Sequence, residues 1–227
     1  MSRTAAFWCV AVGVLSTMGV MTAQNPGPAA PRPDPNTVKL IGNRFPPLTY
    51  QAMTPEQKKM FEDVISGERR GAAGPFNVLL RSPELMSPVQ KVGEYLRFRC
   101  PLDRRIAEMA TLIAARHWTQ LYEWNAHHPL ALKAGLKPEI AQAIADGRRP
   151  TGMAADEEIV YDTLTEALQN KSVSDVTYER AVKQFGEQNL VDLLAIAGYY
   201  ALLALLLNVS RTPLPEGCEP GMPHFPN

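Results

Sequence analysis

One stretch sets the terms for the rest of this chain: Glu108 to Gly135, reading EMATLIAARHWTQLYEWNAHHPLALKAG. Its spacing predicts two helices with a break near Arg116 to Thr119. Glu123 and His127 stand four residues apart in the second helix and therefore share a face. Glu108 lies roughly four turns upstream, where an antiparallel return brings it beside that pair. Two carboxylates and an imidazole inside otherwise apolar helices are costly to bury unless they partner one another. The fold must therefore bring them together, and this is the place to look for chemistry.

The flanking sequence is punctuated in the same helical manner. Thr54-Pro55-Glu56-Gln57 combines an N-cap, a proline at the first helical position and the far half of a capping box, predicting a helix to about Ile65 with a stop at Ser66-Gly67. Pro75 to Arg81 fits a single helical turn. Ser82-Pro83-Glu84 repeats the cap-then-proline signature ahead of a helix ending at Phe98. Cys100-Pro101 interrupts, because a residue before proline is pushed out of the α region. Asp103 or Leu102 then opens the helix of Glu108, in which Ile106, Met109, Ala110, Ile113 and His117 recur at helical spacing. Gly135 is suited to the position after a helix end. Further helices are predicted from Pro138 to Ala145, from Ala155 to Gln169, and from Ser174 or Asp175 to Gly186. Leu190 to Val209 is almost wholly apolar and long enough to span a bilayer. Asp192, Tyr199, Tyr200 and the lack of a basic flank favour a buried helix instead. No strand pattern is evident, so the fold class is all-α.

Length and charge limit what such a chain does. The 227 residues fit one ordinary domain or two small ones, and 45% hydrophobic with 20% charged residues is a globular balance. With 23 basic and 23 acidic residues and no basic stripe, the footprint of a nucleic-acid binder is missing. Residues 1–23 read as a signal peptide, with Arg3 before an apolar run from Ala5 to Val20, so the chain is expected to be exported, periplasmic or secreted, or held by an uncleaved N-terminal anchor. Residues 24–42 are a Pro/Ala-rich linker, 43–212 the helical domain, and 213–227 an irregular proline-rich tail. Export leaves Cys100 and Cys218, and nothing in the sequence settles whether they pair.

The residues Arg104-Arg105-Ile106-Ala107-Glu108-Met109-Ala110-Thr111-Leu112, then Tyr122-Glu123-Trp124-Asn125-Ala126-His127, then Ala131-Leu132-Lys133-Ala134-Gly135-Leu136 resemble the carboxymuconolactone decarboxylase family, which includes the alkylhydroperoxidase D proteins. The likeness covers about Leu85 to Gly147. A looser second copy runs from Tyr161 to Asn208, with Asp192 in the place of Glu108 and Arg211 where a histidine would follow. The resemblance implies an all-helical homo-oligomer, a trimer or hexamer, with the site near a subunit boundary. The peroxidase branch carries a Cys-x-x-Cys, but Gln120 and Glu123 occupy those positions here, leaving no thiolate for peroxide chemistry. A Glu at the second position with the histidine retained is the decarboxylase pattern.

The candidate catalytic residues are thus His127, Glu123 and Glu108. Loss of carbon dioxide leaves a carbanion that must delocalise into a carbonyl and then be protonated, and a buried imidazole suits that task. Glu108 and Glu123 are expected to orient the ring and raise its pKa; if they share a small cavity, one of them is protonated near pH 7. The first reading is therefore a decarboxylase-like enzyme acting on a small carboxylated lactone or related acid, without a cofactor. The alternatives are a non-catalytic helical scaffold and, third, a peroxidase. His128, about 100° around the helix from His127, and His117 at a helix end are expected outside the site. No zinc spacing appears among the histidines, so no metal is expected. Tyr122 and Trp124 flank the site; Arg97 and Arg99 are candidates for holding a carboxylate but are left out of the site.

Overall fold

The computed structural model describes residues 31–223, and the signal peptide expected at 1–23 lies outside them. Eight α-helices and a short 3-10 turn account for the regular structure of the described residues, among which there is no strand. The all-α reading holds.

The order is α1 (Pro55–Ser66), α2 (Phe76–Leu79), α3 (Pro83–Phe98), α4 (Arg104–His117), α5 (Leu121–Lys133), α6 (Pro138–Ala145), α7 (Ala155–Asn170) and α8 (Asp175–Ser210). Helix α4 is the axis of the bundle. Every residue from Ile106 to Arg116 is buried, and α5, α6, α7 and α8 all pack on it. A helix surrounded in this way has to be apolar on all sides, which makes Glu108 within it conspicuous.

Local chemistry fixes where the helices begin. At α1 the Thr54 hydroxyl accepts from the Gln57 amide at 3.3 Å while the Gln57 side chain accepts from the Thr54 amide at 3.0 Å, completing the capping box. Asp103 caps α4 by accepting from the amides of Arg105 and Ile106. Ser82, expected to act similarly on α3, makes no side-chain cap bond, and proline at the first turn opens that helix without it. At Gly135 the backbone turns to φ +100° just beyond α5, a conformation with little penalty for glycine.

Helix α8 runs through to Ser210, but Gly186 inside it has φ 77° and ψ 165°, so the expected stop there is a kink. The apolar second half is long enough to cross a bilayer. In this fold it packs on α4, burying Leu193, Ile196, Ala197 and Leu203. Asp192, also buried, accepts from the Tyr95 hydroxyl at 3.0 Å.

The packed chain extends beyond the expected 43–212 at both ends. Leu40 is buried in the core and Val38 packs against it. In the tail, Met222 is buried. The Asn125 side chain donates to the Glu219 carbonyl at 2.7 Å and accepts from the Gly221 amide at 3.0 Å. The tail is irregular, as expected, yet it is tied to the outer side of α5. Cys100 and Cys218 are free thiols.

Candidate active site

The turn between α4 and α5 brings the three candidate residues into one neighbourhood. Thr119 takes φ 48°, and Gln120 then caps α5, accepting from the Tyr122 amide at 2.6 Å. Its Nε2 donates to Asn208 on α8 at 2.8 Å. Gln120, at the first of the positions that carry cysteine in the peroxidase branch, thus ties the turn to α8. Helix α5 doubles back along α4. Nδ1 of His127 meets Oε2 of Glu108 at 2.7 Å, both side chains buried.

The other carboxylate oxygen of Glu108 pairs with Arg104, one helical turn earlier. The i,i+4 spacing of Arg104 to Glu108 is the sequence signal for this pair. Glu108 therefore holds the imidazole as an ion-paired carboxylate.

The expectation that both carboxylates flank the ring and raise its pKa is not met. Burial pushes the His127 pKa down and outweighs the opposing pull of Glu108. The ring is neutral at pH 7; it donates from Nδ1 to Glu108, which leaves the Nε2 lone pair unused. Glu123 does not bond the ring. Both its oxygens are buried without a hydrogen-bond partner, and burial alone raises its pKa well above the usual carboxylate range. Burial thus favours the protonated form of Glu123, and the cause is desolvation and not the neighbouring carboxylate.

Glu123 and His127 both line a cavity of about 130 Å³ between α5, α8 and the loop ahead of α2. Tyr122, Tyr199 and Tyr200 form much of its wall, together with Arg69, Arg97 and Leu203. The Tyr200 ring stands edge-on to His127, with centroids 4.8 Å apart. Trp124 belongs elsewhere: it is 1% exposed, stacks on His128 and lies beneath Gly221 of the tail. Arg99 is exposed, its nearest acid being Glu94 at 3.8 Å. Arg97, left out of the site on sequence grounds, lines the cavity. Arg69, Tyr199 and Tyr200 had no local signal as site residues. They reach the cavity from segments more than a hundred residues apart in sequence. His117 lies exposed at the end of α4. Among the described residues no group of three or more His, Cys, Asp or Glu side chains could hold a metal ion.

Two solved structures share this arrangement of helices. A peroxidase-related protein with an alkylhydroperoxidase AhpD core from Ralstonia eutropha superposes with a TM-score of 0.62 at 15% identity, covering 76% of this chain and 92% of its own. The fold is AhpD-like. A protein of unknown function from Agrobacterium tumefaciens, suggested to be an antioxidant-defence AhpD, gives a TM-score of 0.55 at 15% identity over 63% of this chain and 98% of its own. No protein-family model and no curated protein matches the sequence. In this AhpD-like fold Glu108, Glu123 and His127 sit on the α4–α5 hairpin, and α8 lines the cavity beside them.

Proposed function

We propose that this chain is an acid/base enzyme that decarboxylates, or moves a proton on, a small carboxylated lactone or related acid. The observation that carries this reading is the state of the trio. The imidazole anchored by Glu108 shares one cavity with an unbonded Glu123, and burial favours the uncharged form of both side chains. A base and an acid facing the same space, each favoured in its uncharged form by burial, suit proton transfer next to a carbonyl.

In the decarboxylation the bond between the substrate carbon and its carboxylate breaks, and the electron pair passes into the adjacent carbonyl as an enolate. Glu123 delivers its proton to that carbon and becomes a carboxylate. His127, four residues on, relays a solvent proton back to it through Nε2. One proton is consumed and one carbon dioxide released per turnover. Glu108 is the positioning residue, since its bond to Nδ1 fixes both the ring and the tautomer.

A peroxidase cycle needs a thiolate at the reacting position. Gln120 and Glu123 stand at the two cysteine positions of that branch, and neither Cys100 nor Cys218 lines the cavity. These residues support the carboxylate reading.

Carbon dioxide release and solvent deuterium incorporation, measured on a panel of carboxylated lactones, test it. His127→Gln is expected to lower the rate by a factor on the order of 10² to 10⁴. Equal rates for parent and variant, or no turnover of any member of the panel, refute the proposal.

A further inference from the structure

We propose that one wall of this cavity, formed by Arg69, Arg97 and the Tyr199 hydroxyl, is an anion subsite that selects ligands carrying two negative charges. The proposal rests on the reading of the cavity as a ligand chamber, but it does not depend on which reaction occurs there.

The charges around the cavity do not balance. Glu108 is offset by Arg104, and burial favours the uncharged forms of His127 and Glu123. Arg69 and Arg97 remain, both half-buried and both lining the cavity, and neither forms an ion pair among the described residues. The Nε atom of each is buried without a hydrogen-bond partner. The bond shown for the Arg69 guanidinium is from Nη2 to the Tyr199 hydroxyl at 3.2 Å. Guanidinium groups stay charged in proteins, and two uncompensated ones at one wall repel each other. A monocarboxylate offsets one of them; a dicarboxylate offsets both, with charge-assisted hydrogen bonds to the two guanidinium groups.

The wall is also built, since a helix gives up a side chain to make room for it. Gly93 lies buried in the middle of α3, where glycine is unfavourable relative to alanine. A Cβ at that position would stand 2.0 Å from the Tyr199 hydroxyl and 2.4 Å from Nη2 of Arg69. The notch left by Gly93 is what seats the Tyr199–Arg69 pair against α3.

The test compares succinate with its monoamide, succinamate, as ligands of the full chain at pH 7.5 by calorimetry. Succinate is expected to bind at least about tenfold more tightly, and Arg69→Gln or Arg97→Gln to weaken succinate about 10- to 100-fold while narrowing the gap between the two probes. Gly93→Ala keeps both arginines and favours the helix, yet it is expected to lower succinate affinity and leave succinamate unchanged. Equal binding of the two probes, no binding of either up to about 10 mM, or arginine variants indistinguishable from the parent overturns the subsite. Binding and turnover are read separately. Discrimination without turnover of any lactone sinks the proposed reaction alone, and turnover without discrimination sinks the subsite alone.

Discussion

At the scale of single residues, burial displaces two neighbouring groups in opposite senses: the His127 pKa falls and the Glu123 pKa rises. Both shifts favour the uncharged form, as desolvation must. The Glu123 shift has a consequence for stability. Below the free carboxyl value of about 4.5 the side chain is protonated in the folded and unfolded chain alike, and its contribution is fully present. As pH rises above that value the unfolded chain ionises first, so stability is lost until the folded pKa is passed, at about 1.4 kcal/mol per pH unit. Glu123→Gln is close in shape and carries no charge at any pH. Its melting temperature is expected to match the parent near pH 4 and to exceed it increasingly toward pH 8. A difference that stays constant with pH, or grows toward acid, contradicts a proton held on Glu123. The sequence made the trio legible through the four-residue spacing of Glu123 and His127, but not the charge state of its members, because that depends on how completely α8 and the loop ahead of α2 exclude water.

At the scale of elements, what could be read in advance was whatever neighbouring residues decide among themselves. The Thr54–Gln57 box, the proline starts at Pro55, Pro83 and Pro138, and the break at Gly186 are contacts or torsions within a few residues. Arg69, Gly93 and Tyr199 belong to a loop, α3 and α8, and only their packing makes a cavity wall of them, so no local pattern marks them. Arg97 was visible as a charge embedded in Tyr95-Leu96-Arg97-Phe98, but its direction was not. The cap of α4 offers a test of how far local chemistry supports the site. Asp103 accepts from two amides at the start of the helix, immediately before Arg104 and one turn before Glu108. Asp103→Ala should cost about 1 kcal/mol, within the 0.5–2 kcal/mol range of such caps. Urea titration should show the midpoint falling with an unchanged slope. An unaltered midpoint means that tertiary packing, and not the cap, defines the start of α4.

At the scale of the whole molecule, the chain closes on itself around α5. Helix α4 supports one side of α5, α8 adjoins it across the cavity, and the tail covers a third side through Asn125, Trp124 and Met222. Composition marked this tail only as proline-rich and irregular, yet an irregular segment packs tightly where its backbone groups find partners. Gly221 shows how closely it approaches: a Cβ there would stand 2.8 Å from the Trp124 ring. Removing residues 217–227 exposes that ring, unburies the Met222 site and frees both polar atoms of the Asn125 side chain. Burying a methionine is worth about 1.5–3 kcal/mol and each net hydrogen bond about 0.5–1.5 kcal/mol. The truncated chain is therefore expected to melt several degrees lower, since about 1 kcal/mol corresponds to roughly 2–4 °C at this size. Its tryptophan emission should shift to the red as Trp124 meets water. Asn125→Ala, which removes the two bonds and leaves Met222 in place, should reproduce only part of the loss. If truncation changes neither melting nor emission, the tail is not held on α5, and the segment carrying Glu123 and His127 is supported by the helices packed on it, α4, α6 and α8.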